Sequence, residues 1–442
     1  MKGFVLSAPS SGSGKTTLTL GLLRALRNAG HAVAAAKSGP DYIDPRFHEA
    51  ACGKVCFNLD AWAMPKGMVA RLATVPDADV LVIEGAMGLF DGAPPDNRGA
   101  TADLAKQLSL PVVLVVDAAR MAGSVAPLVA GFAGFDPEVQ VSGIILNNVG
   151  SDRHEAMLRR ALGPLGLPVV GAVRRSAVLA TPSRHLGLVQ AEERSDLSDW
   201  LDRVAAVIAT QVDLAGLLQQ CGTVTARSTL SRVPPPAQRI AVARDVAFAF
   251  HYPHMLYDWR AQGAEVCFFS PLADDPVPDA DLVYLPGGYP ELHAGRIASN
   301  RTFMKSLKNA SQDTDIYGEC GGYMILGDGL IDAEGQRHEM AGLLRLETSF
   351  ATRKLHLGYR DVTAKGGRFT GDWAAHEFHY ATTLRADGAP LFAATDAEAT
   401  ALPDMGLIQG RVAGSFAHLI APRTNAASVA PVANRTGGKM GD

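Results

Sequence analysis

Cysteine is scarce in this chain, with five residues in 442, and no two of them form a C-x-x-C pair. That excludes a disulfide framework and a zinc ribbon. Cys52 and Cys56 stand four apart, but no His or Cys pair completes a metal site around them. Long apolar runs are also absent. The longest strongly apolar stretch, Leu110 to Val116, falls far short of a membrane span. The start, Met1 to Ser7, offers one positive charge and a short apolar run, too little for a signal-peptide core. Nor is there an excess of charge: the formal net charge is −4, which gives no electrostatic case for nucleic acid or an anionic membrane. No internal repeat occurs at solenoid spacing. What is present is 47% hydrophobic and 19% charged, the profile of a soluble enzyme long enough for roughly two to three domains. A reducing, cytoplasmic setting is expected, where a free thiol survives.

Residues 1–175 alternate short apolar runs with amphipathic ones. Phe4-Val5-Leu6, Val33 to Ala36, Val80 to Ile83, Val112 to Val116, Ile144-Ile145-Leu146 and Val169-Val170 read as buried strands. Helical patterns lie between them, such as Thr16 to Ala29 and Arg153 to Leu162, and a longer one runs from Glu192 to Leu218. Continuous apolar strands alternating with helices predict an α/β fold with a parallel sheet covered on both faces. Residues 222–238 lose all periodicity and end in Pro234-Pro235-Pro236, which predicts a linker. A second α/β series starts at Arg239, with strands at Ile240 to Ala243, Glu265 to Phe269 and Asp281 to Leu285 and a helix at Met255 to Gln262. The expected division is therefore 1–221, linker 222–238, 239–423, and an Ala/Asn/Gly-rich mobile tail at 424–442.

The first series opens on a phosphate loop. Gly12, Ser13, Gly14, Lys15, Thr16 and Thr17 follow a strand and enter a helix. Small residues let backbone N–H groups turn inward around phosphate oxygens, and the helix start favours the anion. Lys15 would reach the β/γ phosphates and Thr16 would place its hydroxyl on Mg²⁺. Pro9 replaces the usual first glycine. A mere Gly/Ser turn does not account for strand, loop, Lys-Thr-Thr and helix in that order. Glu84 ends the strand Val80 to Ile83, and Lys37 to Pro45 carries Asp41 and Asp44 after another strand. Strand carboxyl ends face the ligand crevice in open α/β sheets, so Glu84, Asp41 and Asp44 are candidates for metal and reaction. The alternative for each is a turn carboxylate satisfying local N–H groups. Asn147-Asn148 could hydrogen-bond a base or simply end a strand.

The second series carries a thiol. Gly318-Glu319-Cys320-Gly321-Gly322 has the G-x-nucleophile-x-G form of a strained strand-to-helix turn. A following helix is expected to lower the Cys320 pKa. Backbone N–H groups of Gly321 and of the Leu285-Pro286-Gly287-Gly288 turn, Gly288 above all, could form an oxyanion hole. For the base, His418 in Gly414-Ser415-Phe416-Ala417-His418 is placed best, with His376 and His379 competing. A phosphate site and a thiol in one chain suggest an enzyme that takes ammonia from glutamine and spends ATP to install it.

At these residues the second series resembles a class I glutamine amidotransferase domain of the corrinoid type. The first resembles a dethiobiotin synthetase-like P-loop fold. Ser38 to Pro45, Glu84 to Gly92 and Glu377-Phe378-His379-Tyr380, in that order, are similar to the cobyrinic or hydrogenobyrinic acid a,c-diamide synthases. The resemblance covers residues 1–423. It implies two catalytic domains, with ATP, L-glutamine and hydrogenobyrinic or cobyrinic acid as substrates and Mg²⁺ as cofactor. The a and c acetate carboxylates would be amidated through an acyl phosphate. It also implies Cys320 as nucleophile and His418 as base, Lys15 and Thr16 on phosphates and Mg²⁺, and Asp41, Asp44 and Glu84 at the metal or acyl-phosphate step. The Ala- and Arg-rich composition tilts the expectation toward the metal-free ring. Alternatives are cobyric acid synthase, a nickel-sirohydrochlorin a,c-diamide synthase, or a ParA/MinD-like ATPase switch with an inert second domain. An isologous homodimer is the default assembly. Many class I domains have His-x-Glu, whose carboxylate orients the imidazole. Here His418-Leu419-Ile420 lacks it. A thiol that waits for the loaded synthetase domain is therefore expected.

Overall fold

The computed structural model describes residues 1–180, 190–225 and 231–423, with two short strands at Ser183–Arg184 and Gly187–Leu188. The expected tail at 424–442 and the middle of the expected linker, 226–230, lie outside the described residues. None of the described helices is long and apolar enough to cross a membrane.

The first half is a parallel sheet in the order Phe57–Leu59, Val33–Ser38, Val80–Glu84, Lys2–Ser7, Val112–Asp117, Val141–Val149, Val169–Arg174. Gly222–Thr223 adds an antiparallel edge to Lys2–Ser7. The central strands are almost wholly buried, which is why they read as continuous apolar runs rather than alternating ones. The helix Lys15–Asn28 packs closely on Leu197–Gln211. A Cβ on Gly21 would lie 2.5 Å from Ile208 Cγ1, so the absent side chain sets that approach. Two departures from the sequence reading occur here. Phe57–Leu59 is an edge strand too short to register as a period. The single helical run at 192–218 is instead two helices, Leu197–Gln211 and Leu214–Gln219. The break has a cause: the Asp213 N–H donates to Val170 O at 2.8 Å, and the Asp213 carboxylate caps the Gly216 N–H at 2.9 Å.

The second half has a sheet in the order Glu265–Phe269, Arg239–Ala243, Leu282–Leu285, Asp315–Glu319, Val412–Ser415, Leu407–Gln409, parallel except for the last pair. Between the cysteine turn and Val412–Ser415 the chain inserts antiparallel strands that the sequence reading did not resolve. The larger sheet runs Ala401–Met405, Phe392–Asp396, His356–Ala364, Asp372–His379, Ala417–Pro422. Its strands are of mixed polarity, because one face serves the seam between the halves rather than a purely apolar core.

That seam is aromatic and polar at once. Tyr42 stacks on Phe250 with centroids 5.2 Å apart, and its hydroxyl lies 2.6 Å from that of Tyr252. Trp62 stacks on Tyr359 at 4.3 Å, and the Tyr359 hydroxyl donates to Asp60 at 3.0 Å. Arg71 pairs with the buried Asp258 at 2.7 Å. Such rings contribute both buried area and geometry.

Two buried histidines, His254 and His376, and the half-buried His251 border the seam. Burial holds His254 down at about 4, against a weaker pull upward from the Ile420 carbonyl. Burial and the neighbouring His418 hold His376 at about 3, and burial with Arg46 holds His251 well below the usual imidazole range. The unfolded chain therefore gains protons below pH 6.5 that the folded chain refuses, so stability falls as pH drops from 6.5 toward 4. Asp44, raised to about 6, works in the opposite sense over part of that window but is a single group. The melting temperature is expected to drop between about pH 7.5 and about pH 5. His254→Gln, which retains a donor for Ile420 O, should flatten that drop in thermal unfolding scans.

Candidate active site

The first centre lies at the carboxyl ends of the parallel strands. Gly12 and Gly14 sit at φ 79° and 83°, the left-handed region where glycine alone is free of strain. A Cβ on Gly14 would come within 2.3 Å of Asn147 Nδ2, and that amide donates to Ser13 O at 2.9 Å. Asn147 thus braces the phosphate loop, and the Asn148 amide donates to Asp117 Oδ1 at 3.0 Å. Lys15 donates to the carbonyls of Ser10 and Met87, and Thr17 lies half-buried in the first helical turn.

Glu84, Asp44 and Asp41 converge on one buried cation. The Lys37 Nζ is 2.6 Å from Asp44, 2.9 Å from Glu84 and 3.7 Å from Asp41. Burial penalises its charge, but Asp44 and Glu84 outweigh that and keep its pKa well above the usual lysine range. Thr16 donates to Glu84 Oε1 at 2.6 Å. His48, which sequence reasoning missed, meets Glu84 Oε2 at 2.6 Å. The available signal was its place four residues after Asp44 in the helix Asp44–Cys52, on one helical face. Burial disfavours ionised Glu84, yet Lys37 and His48 hold its carboxyl well below the ordinary range. Burial and the charge of Asp41 lift Asp44 to about 6 despite Lys37. Asp41 also accepts the N–H groups of Ile43 and Asp44 at 2.9 and 3.0 Å, so it shapes its own loop. A hydroxyl and carboxylates beside a phosphate loop are the hard oxygen donors Mg²⁺ takes, so the residues fit that ion.

The second centre is built on backbone strain. Cys320 adopts φ 46°, ψ −102° between Asp315–Glu319 and the six-residue helix Gly321–Leu326. Gly322 must lack a Cβ, which would fall 2.0 Å from Leu285 O. The Cys320 N–H donates to Ser415 O at 2.8 Å, tying the turn to the strand that precedes His418. A Cβ on Gly287 would lie 2.4 Å from His418 Cε1 and 3.2 Å from Cys320 Cβ, so thiol and imidazole flank that glycine. A Cβ on Gly321 would lie 3.1 Å from Gly288 N, which places the two expected oxyanion donors side by side.

The expected thiol activation needs correction. Burial, with Glu291 adding repulsion, pushes the Cys320 pKa up, and the Gly321 N–H only partly offsets this. Two turns of helix cannot outweigh desolvation of a thiolate. The competing histidines have other partners: His379 stacks on Phe416 at 3.9 Å and meets Glu377 at 3.0 Å, and His376, beside His418 on the neighbouring strand, lies edge-on to Tyr359 at 5.3 Å. His356, Glu377 and His379 cluster within 4.8 Å, but Arg360 already pairs with Glu377 at 2.8 Å. His418 faces Tyr42 of the first domain at 4.7 Å between centroids. Its Nδ1 lies 3.6 Å from Glu319 Oε2. The carboxylate absent after His418 in sequence is thus present in space.

Residues 4–189 match the family model of the CobQ/CobB/MinD/ParA nucleotide binding domain, and residues 239–426 match the CobB/CobQ-like glutamine amidotransferase domain. Together they define a glutamine-hydrolysing amide ligase that uses ATP. The chain is 54% identical over 430 residues to hydrogenobyrinate a,c-diamide synthase of Brucella anthropi, covering 95% of this chain and 98% of that one. The same named enzyme of Rhizobium meliloti is 54% identical over 426 residues, covering 95% and 99%. That of Rhodobacter capsulatus is 50% identical over 434 residues, again covering 95% and 99%. The chain belongs to the hydrogenobyrinate a,c-diamide synthase family, which sets aside the switch with an inert second domain.

Gly287→Ala should displace the imidazole from the thiol. Glutamine-dependent turnover is expected to fall by about a hundredfold while amidation driven by ammonium salts persists, measured side by side on one preparation.

Proposed function

We propose that this protein amidates the a and c acetate carboxylates of hydrogenobyrinic acid, with ATP and glutamine as co-substrates. The carrying observation is that one loop, Asp41 to Asp44, serves both centres: its carboxylates face Lys37, and Tyr42 between them touches His418. The names of the relatives support the metal-free ring over cobyrinic acid.

A carboxylate is a poor electrophile. In the first step its oxygen attacks the γ-phosphorus of ATP, releasing ADP and leaving an acyl phosphate. The phosphate loop with Lys15 holds the nucleotide for that attack. Mg²⁺, held by Thr16 and Glu84 with Asp41 or Asp44, would draw charge from the phosphate oxygens. At the second centre the Cys320 thiolate attacks the glutamine amide carbon, and His418 takes the thiol proton and returns it to the departing ammonia. The N–H groups of Gly288 and Gly321 hold the tetrahedral oxyanion. Water then cleaves the thioester to glutamate. Ammonia attacks the acyl phosphate, phosphate leaves, and the amide remains. A second round amidates the other acetate.

Cys320→Ala should lose glutamine use by about a thousandfold or more yet retain ammonia-dependent amidation, and Lys15→Ala should lose both. Mass spectrometry of products from metal-free and cobalt rings reads the outcome. Loss of ammonia-dependent activity in a folded Cys320→Ala chain would refute the division of labour.

The buried, pK-raised thiol and the Tyr42 contact support a glutaminase that waits for the other domain. Thr16 and Lys37 bond Glu84 and Asp44 in the resting centre, so nucleotide and Mg²⁺ would compete for these contacts, and Tyr42 lies on the same Asp41 to Asp44 segment. Glutamine hydrolysis should be several-fold faster with ATP and corrin than without. Tyr42→Ala should bring that ratio toward one. Glutamate release by the parent enzyme at its full rate without ATP and corrin would rule out the waiting thiol.

A further inference from the structure

We infer that Glu319, the residue before the nucleophile, is the positioning carboxylate for His418. The inference rests on the thiol reading above and names the third member of that site.

Glu319 and His418 are each 1% exposed. Glu319 Oε2 lies 3.6 Å from His418 Nδ1, and His418 is the only basic side chain within 4.0 Å of that carboxylate among the described residues. A buried carboxylate without a cation is costly, so its geometry calls for a positive charge at that imidazole. The charge appears when His418 takes the proton of Cys320. At 3.6 Å from Nδ1, the carboxylate is placed to face the charge that this transfer puts on the ring. Glu319 itself gains no proton, as in other acid-histidine-nucleophile sites.

The carboxylate is also held in place. The Tyr284 hydroxyl donates to Oε2 at 2.7 Å, and the N–H of Leu419 donates to Oε1 at 3.1 Å. Leu419 directly follows His418, so Glu319 anchors the backbone that carries the base. Both ring nitrogens of His418 lack a hydrogen-bond partner among the described residues. The Nδ1 contact is thus longer than a hydrogen bond, a resting distance of the kind that tightens when substrate binds. Many class I amidotransferase domains put the carboxylate two residues after the histidine. Here the same role comes from the other side of the site, on the strand that ends at the thiol.

The test uses the full chain. Glu319→Gln keeps the volume and an acceptor for the Leu419 N–H but removes the charge. Its kcat for glutamine hydrolysis is expected to fall roughly a hundredfold or more, with KM for glutamine within about threefold and ammonia-dependent amidation within about twofold. Glu319→Asp, which restores the charge at shorter reach, should recover part of the loss. Adding Glu319→Gln to His418→Asn should cost nothing further, because the carboxylate acts only through the imidazole. A purely structural role would instead give additive losses in the double variant, and that result overturns the inference. So does an unchanged kcat in Glu319→Gln, or an equal fall in ammonia-dependent amidation. Cys320→Ala separates the two levels. If it retains glutamine use, the thiol reading itself fails. If it is dead with glutamine while Glu319→Gln is fully active, only the assignment of Glu319 fails.

Discussion

Lys37 carries a buried positive charge at the end of a parallel strand, and much of both centres hangs from it. A lysine that is 4% exposed needs anions, and Asp44 and Glu84 supply them. Holding Asp44 fixes the start of its helix, and with it the Asp41 to Asp44 loop. That loop also carries Tyr42, which packs on Phe250 and the imidazole of His418. The position of the His418 imidazole is thereby linked, residue by residue, to the charges around Lys37.

The thiol centre shows the complementary economy of a strained turn. Cys320 is forced to positive φ by a strand and a helix that meet too closely for any side chain at Gly322. The turn places Cys320 and His418 on either side of Gly287 and buries the thiol from water. Burial keeps the proton on, so reactivity depends on what surrounds the imidazole. Two of those neighbours come from distant chain segments, Tyr42 from the first domain and Glu319 from the adjacent strand.

The aromatic seam has a second consequence. Tyr359 and His376 belong to the inserted antiparallel sheet, yet Tyr359 bonds Asp60 and stacks on Trp62 of the first domain. His376 pairs in register with His418 on the neighbouring strand. The insertion therefore connects His418 to the first domain by a route separate from Tyr42. Rigid packed rings transmit small displacements because their alternatives are few.

The elements legible in the sequence were those encoded locally. Lys15-Thr16 after a Gly/Ser loop, Cys320 between glycines, and the apolar strands carry their signal within a few residues, because backbone dihedrals and strand burial are local demands. Asp41, Asp44 and Glu84 were visible as strand-end acids, although nothing in their spacing reveals that all three meet Lys37. His48 reaches Glu84, Tyr42 reaches His418, and Glu319 meets an imidazole about a hundred residues later only after the sheets form. The split of the 192–218 helix was also tertiary, set by the bond from Asp213 to Val170 O. Sequence alone determined the two chemistries and their order along the chain. Tertiary structure decided which groups charge, orient and restrain them, since burial and through-space Coulomb contacts exist only between segments that folding brings together.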